Sequence, residues 1–275
     1  MAISIALEIR KALRKLRTYI GPVAMSLLIL ALAVGLKHSN PFDYLRRRME
    51  QDFIVTGSFT NAAFLCRHLL EGITYFFLPL FTCMVCGDLL ASEAADGTIR
   101  TLLCRPVTRA QVYIAKYLIA VLYVAGLVMG TGVLAYLVGS AILGRGSLVL
   151  FSGGFWVIPE AEAIRRLAMA YALVTMGMLA VGSIAFAVST LLSNSNGAIG
   201  AAMAVLWGSL VIQEIDYFKV LKPYLLTTHL DHWRWLIDGK GTTQEFTNGV
   251  IVILAYSVVA FVIGLLVFRR KDILA

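Results

Sequence analysis

Four histidines and four cysteines are the residues here whose types could bind a metal or carry redox chemistry. His229-Leu230-Asp231-His232 sets two imidazoles about one helical turn apart, and Cys66 stands two residues before His68. Imidazole and thiolate are donors that suit zinc and copper, so Cys66, His68, His229 and His232 are candidate outer-side ligands. Against this stands the commoner role of loop histidines as hydrogen-bonded or interfacial side chains, and on that balance no metal is expected. Cys83-Met84-Val85-Cys86 has C-x-x-C spacing but lies in an apolar run without a redox fold around it. Two small polarisable side chains packed in a helix are the better account. The cysteines are too scattered for a disulfide framework. No G-x-x-x-x-G-K-[ST] loop occurs, and Ser152-Gly153-Gly154 lacks the rest of any ATPase signature. With no H-E-x-x-H and no Ser/His/Asp motif, the chain is expected not to be an enzyme.

The elements that carry these residues follow from composition. The 275 residues are 59% hydrophobic and 15% charged, with a mean hydropathy of +0.82. Soluble domains are less apolar and carry more charge, so this is a membrane-protein composition. Six runs approach the roughly 20 apolar residues that a span needs: 19–36, 72–91, 113–138, 167–190, 197–213 and 248–268. The expectation is one all-α transmembrane domain over residues 1–275. A weaker apolar stretch, 148–158, is too short to cross and reads as a surface or re-entrant piece.

Charge then orients the spans. With the N-terminus inside, the inner segments 1–18, 92–112, 191–196 and 269–275 hold 11 Lys and Arg in 52 residues. The outer segments 37–71, 139–166 and 214–247 hold 12 in 97 residues. The denser basic flanks favour cytoplasmic N- and C-termini. The net charge of +8 therefore reads as topology, and no nucleic acid is expected as a partner. Residues 1–18 carry Ile5, Ile9, Leu13 and Leu16 on one helical face and Arg10, Arg14 and Arg17 on another. They read as an uncleaved interfacial elbow helix that turns into the first span at Gly21-Pro22. Within the proposed limits only Asp88 and Lys116 are ionisable, both near cytoplasmic ends where they could reach water. No acidic or histidine relay crosses the membrane, which disfavours an ion pump.

The segment between spans two and three, 92–112, is polar at its start and then places Ile99, Leu102 and Leu103 at helical spacing. Pro106 ends that pattern. Such a short amphipathic helix can lie on headgroups or enter a groove on a soluble partner. The pattern Glu93, Gly97-Thr98, Leu102-Leu103, Arg105-Pro106 and Arg109, followed by Lys116, resembles the coupling region of type-2 ABC transporter permeases. The basic N-terminal helix is similar to that family's elbow helix. Ser193-Asn194-Ser195-Asn196 resembles its tight inner turn, and Phe268-Arg269-Arg270-Lys271-Asp272-Ile273 its usual end.

The resemblance implies a permease subunit in the cell membrane, paired with a second copy of itself or a paralogue. It also implies two copies of a separate cytoplasmic ABC ATPase, and an exporter. ATP and Mg would be bound by that ATPase, with no cofactor in this chain. Glu93, Gly97, Thr98, Arg100, Leu102, Leu103, Arg105, Pro106 and Arg109 would then couple to the ATPase. Gly97 would free the backbone at the start of the coupling helix, and Leu102 and Leu103 would fill the partner's groove. The plainer reading is a solvated basic loop, and the competing function is an ATP-independent scaffold or channel subunit.

Gly200, Ala204 and Gly208 form a small-residue ridge on span five, and Gly126 with Gly130 another on span three. Small residues permit close backbone approach in lipid, either within one subunit or across a dimer seam. Thr131, Tyr136, Thr175, Ser183 and Ser209 are polar points that could line a path or bond to their own backbones. Tyr217, Phe218, Tyr224, Trp233 and Trp235 read as an interfacial aromatic belt or a short outer helix rather than a substrate site.

Overall fold

A computed structural model describes residues 8, 10–12, 14–39, 59–97, 108–151, 155–192, 194–218, 220–238 and 243–270. A short helical N-terminal segment includes Glu8, Lys11 and Ala12. There follow α1 (Leu16–Ser39), α2 (Ala62–Ile73), α3 (Phe77–Ala95) and α4 (Arg109–Ile142). Next come strands β1 (Leu148–Phe151) and β2 (Phe155–Ile158), then α5 (Glu160–Leu191) and α6 (Ser195–Glu214). The short α7 (Leu226–His229) and α8 (Trp233–Asp238) precede α9 (Thr243–Arg270). Helices α1, α3, α4, α5, α6 and α9 are long and apolar enough to cross a membrane, with mean hydropathies from 1.4 to 3.0. The all-α class with six candidate spans is thus the observed architecture, and it suggests a multi-pass membrane protein.

The helices run past the apolar runs that mark them, because caps and not hydropathy set their ends. Helix α4 begins at Arg109, four residues before its apolar run. Thr108 and Gln111 form a reciprocal cap there: the Gln111 side chain accepts from the Thr108 N–H at 3.0 Å, and Thr108 Oγ1 accepts from the Gln111 N–H at 3.3 Å. Span two is the exception: its apolar run 72–91 straddles the break between α2, which ends at Ile73, and α3, which starts only at Phe77. Asn61 caps α2 by accepting from the Phe64 N–H at 3.0 Å, and the helix breaks only at 74–76 before α3 resumes. Pro79 explains the break, since it lacks a donor and is tolerated only in the first turn of a helix.

The N-terminal bend also lies elsewhere than Gly21-Pro22. Helix α1 runs straight through that pair, and the interruption is at Lys15, where the Thr18 hydroxyl donates to the Ala12 carbonyl at 2.7 Å. Gly21 instead marks a close crossing. A methyl group there would stand 2.7 Å from Tyr123 Oη and 3.1 Å from Phe81 Cβ.

Helix α5 is the hub, packing against α3, α4, α6, α8 and α9. Its buried face is rich in small residues (Ala163, Ala170, Gly177, Ala180, Gly182, Ser183, Ala185), which lets several neighbours approach at once. Strands β1 and β2 pair antiparallel with Leu148 opposite Ile158, and Leu148 and Leu150 face inward. Asn61 Nδ2 donates to the Ser147 carbonyl at 2.7 Å, fixing the connection before β1 to the start of α2.

The seam between α4, α5 and α9 is equally tight. Tyr113 is fully buried, donates to the Phe261 carbonyl at 3.1 Å and contacts the rings of Phe186 and Phe268. A methyl group on Gly264 would lie 2.3 Å from Tyr113 Oη and 3.1 Å from the Ala187 backbone. Gly264→Ala is therefore expected to destabilise the bundle by about 1–3 kcal/mol through overpacking. Thermal unfolding in detergent would check it, and an unchanged midpoint would refute this packing.

Candidate functional site

The densest polar feature lies where the N-terminal segment meets the ends of α3 and α4. Lys116, on α4, has a side chain only 2% exposed and stands 2.9 Å from Glu8 Oε2 and 2.8 Å from Glu93 Oε2. Glu93 also pairs with Lys11. One turn away, Asp88 is bound on both oxygens. Lys15 donates to Oδ2 at 2.8 Å, while Arg17 at 2.6 Å and Ser195 Oγ at 2.5 Å donate to Oδ1. Lys15 reaches Ser92 Oγ at 2.8 Å, and Arg17 reaches Ser195 Oγ at 2.6 Å and Asn196 Oδ1 at 3.4 Å.

This cluster joins five parts of the chain: the N-terminal segment, the start of α1, the last turns of α3, α4, and the α5–α6 turn. Three carboxylates and four cations interlock, the innermost buried and the outer ones (Lys11, Lys15, Arg17) partly in solvent. Buried charges persist when paired and hydrogen-bonded, and removing one partner is far costlier than keeping both. Asp88 and Lys116 therefore do not reach water, as their positions near span ends had suggested. Their partners come to them from the N-terminal segment.

Even the hydroxyls of the cluster, Ser92 and Ser195, are engaged by Lys15, Arg17 and Asp88, so its evident chemistry is cohesive. It holds helix ends in a fixed relation. Sequence reasoning placed Arg10, Arg14 and Arg17 on one face but overlooked the face formed by Glu8, Lys11 and Lys15. The missing signal was the pair of ionisable groups in apolar helices, Asp88 and Lys116, which demand counter-charges from elsewhere.

Of the proposed coupling residues, Glu93 lies in the last two turns of α3 and is 3% exposed within the cluster. Gly97 follows that helix with φ +68°, a left-handed stop that suits glycine. It therefore ends α3. Arg109 donates to the Arg269 carbonyl at 3.2 Å, linking the start of α4 to the end of α9. Thr98, Arg100, Leu102, Leu103, Arg105 and Pro106 lie outside the described residues. So do Ser193 and residues 271–275.

The polar points within the spans turn inward on themselves. Thr131, Thr175, Ser183 and Ser209 donate to the carbonyls four residues earlier at 2.6–2.8 Å, and Tyr136 donates to Glu160 at 3.2 Å. Cys83 and Cys86 are free and buried in α3. In the aromatic group, Tyr217 and Tyr224 are exposed while Trp233 is buried. Gly200 and Gly208 on α6, like Gly126 and Gly130 on α4, meet nothing within 4 Å among the described residues, so neither ridge packs closely against them. Cys66 is buried, and His68 stacks on Phe64, 3.9 Å from Glu71. His229 and His232 stand together, with their ring centres 4.8 Å apart. Among the described residues no group of three His, Cys, Asp or Glu side chains is placed to hold a metal.

Residues 27–274 match the model of a family described as a protein of unknown function, DUF2705. A curated relative, the uncharacterized protein YhcI of Bacillus subtilis (strain 168), is 26% identical over 215 residues. That match covers 70% of this chain and 64% of the relative, slightly under two thirds of its length.

Proposed function

The chain belongs to the DUF2705 family, and from that premise we propose that it is the membrane subunit of an ATP-driven ABC transporter. In this reading two permease subunits pair in the cell membrane, with both termini cytoplasmic, and two copies of a separate ATPase dock beneath them. Binding and hydrolysis of ATP and Mg belong to that ATPase, so the chain itself is a non-enzymatic subunit, and the direction is export. The observation that carries the reading is how the ends of segment 98–107 are rooted. It leaves α3 within one turn of Glu93 and enters α4 two turns before Lys116, which is the partner of Glu93.

A push on that loop would reach both helix ends, then the N-terminal segment through Glu8 and Lys11, and the α5–α6 turn through Asp88 and Ser195. Rigid helices joined by a charge cluster carry such a displacement as a unit. The spans add a second support: Thr131, Thr175, Ser183 and Ser209 bond within their own helices and no ionisable relay occurs among the described residues, which fits energy supplied by a partner. The unpacked ridge of Gly200, Ala204 and Gly208 is the surface we assign to the second permease subunit.

Purification of the full chain from its native membrane in mild detergent tests this reading. The expected result is an ATPase with a phosphate-binding loop, recovered in equal amount, whose hydrolysis rises in the presence of the chain. Recovery with a partner that lacks such a loop, or with none, would favour the ATP-independent scaffold or channel subunit.

A further inference from the structure

We propose that His229 and His232 form an open site for a divalent transition-metal ion, zinc or copper(II), at the end of the bundle away from the Glu93–Lys116 cluster. Backbone carbonyls fix both imidazole tautomers. His229 Nε2 lies 2.8 Å from the Pro223 carbonyl and His232 Nδ1 lies 3.1 Å from the His229 carbonyl. A carbonyl can only accept, so each of these nitrogens carries the hydrogen. In the neutral rings that leaves a lone pair on His229 Nδ1 and another on His232 Nε2, and these two atoms face each other at 3.4 Å.

Both residues are 7% exposed, and two acceptors left facing each other in a buried place need something positive between them. The spacing then selects the ion. Two nitrogens bound about 2.05 Å from a tetrahedral centre stand about 3.3–3.4 Å apart. The carbonyls behind each ring are the outer partners that usually orient metal-binding histidines.

A glycine borders the pair as well. Both free nitrogens face Gly249 on α9, where a methyl group would lie 2.7 Å from His232 Nε2 and 3.2 Å from His229 Nδ1. Any side chain at this position would press on both nitrogens, so glycine suits the histidine pair. The pair adjoins a cavity of about 600 Å³ whose walls include Asp231, Trp235, Glu245 and Asn248. Because no third protein donor completes the set among the described residues, water or a ligand carried with the metal would take the remaining positions. Nitrogen donors disfavour calcium and magnesium, which take oxygen ligands.

The full chain, purified without a histidine tag and stripped with chelator, would be titrated with zinc alone and with copper(II) alone. The expected result is one saturable ion per chain, with two imidazole nitrogens at about 2.0 Å by X-ray absorption. His229→Ala and His232→Ala should each weaken binding about tenfold or more, while His68→Ala leaves it unchanged. Gly249→Ala, which keeps both imidazoles, should also weaken it, and the circular dichroism of each apo variant reports folding. The absence of one-to-one binding in the wild type overturns the proposal, as does binding untouched by the His229 and His232 changes or lost with His68. The test is independent of the ATPase reading, since it needs only this chain.

Discussion

Replacing Lys116 by leucine is expected to destabilise the protein by about 3–5 kcal/mol, the largest single-residue stability effect foreseen here. The substitution suits the apolar character of α4, so helix propensity or insertion into the bilayer would not account for a loss. What it removes is the cation lying 2.9 Å from Glu8 and 2.8 Å from Glu93, leaving two carboxylates facing each other in a closed space. Lys11, which also pairs with Glu93, is a weaker counter-charge because its side chain is 45% exposed. Thermal unfolding in detergent reads the effect. Combining Lys116→Leu with Glu8→Gln and Glu93→Gln should recover much of the loss, because neutral amides leave no buried charge unpaired. A midpoint unchanged by Lys116→Leu alone would contradict the buried cluster.

The second large effect concerns Leu103→Asp. If Leu102 and Leu103 fill an apolar groove on the ATPase, a carboxylate there must shed its hydration to dock, and nothing apolar in a groove compensates it. Stimulated ATP hydrolysis and transport are expected to be lost together, while insertion into the membrane and thermal stability stay normal. Leu103→Met, which keeps volume and polarity, should leave both activities nearly intact. Transport at the ordinary rate in Leu103→Asp would remove the coupling role from this loop. The Lys116 and Leu103 results are separable: the first is read in folding, the second in function with folding intact.

Much of the architecture was legible because hydropathy is a local property of the sequence. Six apolar runs announce six helices whatever their neighbours do. The boundaries were less legible, since they depend on side chains reaching a particular amide. The Thr108-to-Gln111 spacing and the Asn61 position carry that signal, and both lie outside the apolar windows. Helix α2 was missed for this reason, its 12 residues being too short to register as a span.

The candidate site was legible only in part. Glu93 and Lys116 stood out individually, yet their pairing depends on the approach of α3 to α4, and sequence spacing does not encode it. Glu8, Lys11 and Lys15 looked like an ordinary basic flank until buried counter-charges gave them a role. The histidine pair is the opposite case. Its i, i+3 spacing was visible at once, but the facing lone pairs depend on two backbone carbonyls and on a glycine from a distant helix.

The most direct test of the central claim is to place a benzophenone amino acid at position 103, irradiate intact membranes and identify what is captured. The account predicts one dominant adduct, to an ATPase subunit with a phosphate-binding loop, with a yield that changes between nucleotide-free and ATP-bound states. An adduct dominated by lipid, or by a cytoplasmic protein with no such loop, would contradict it.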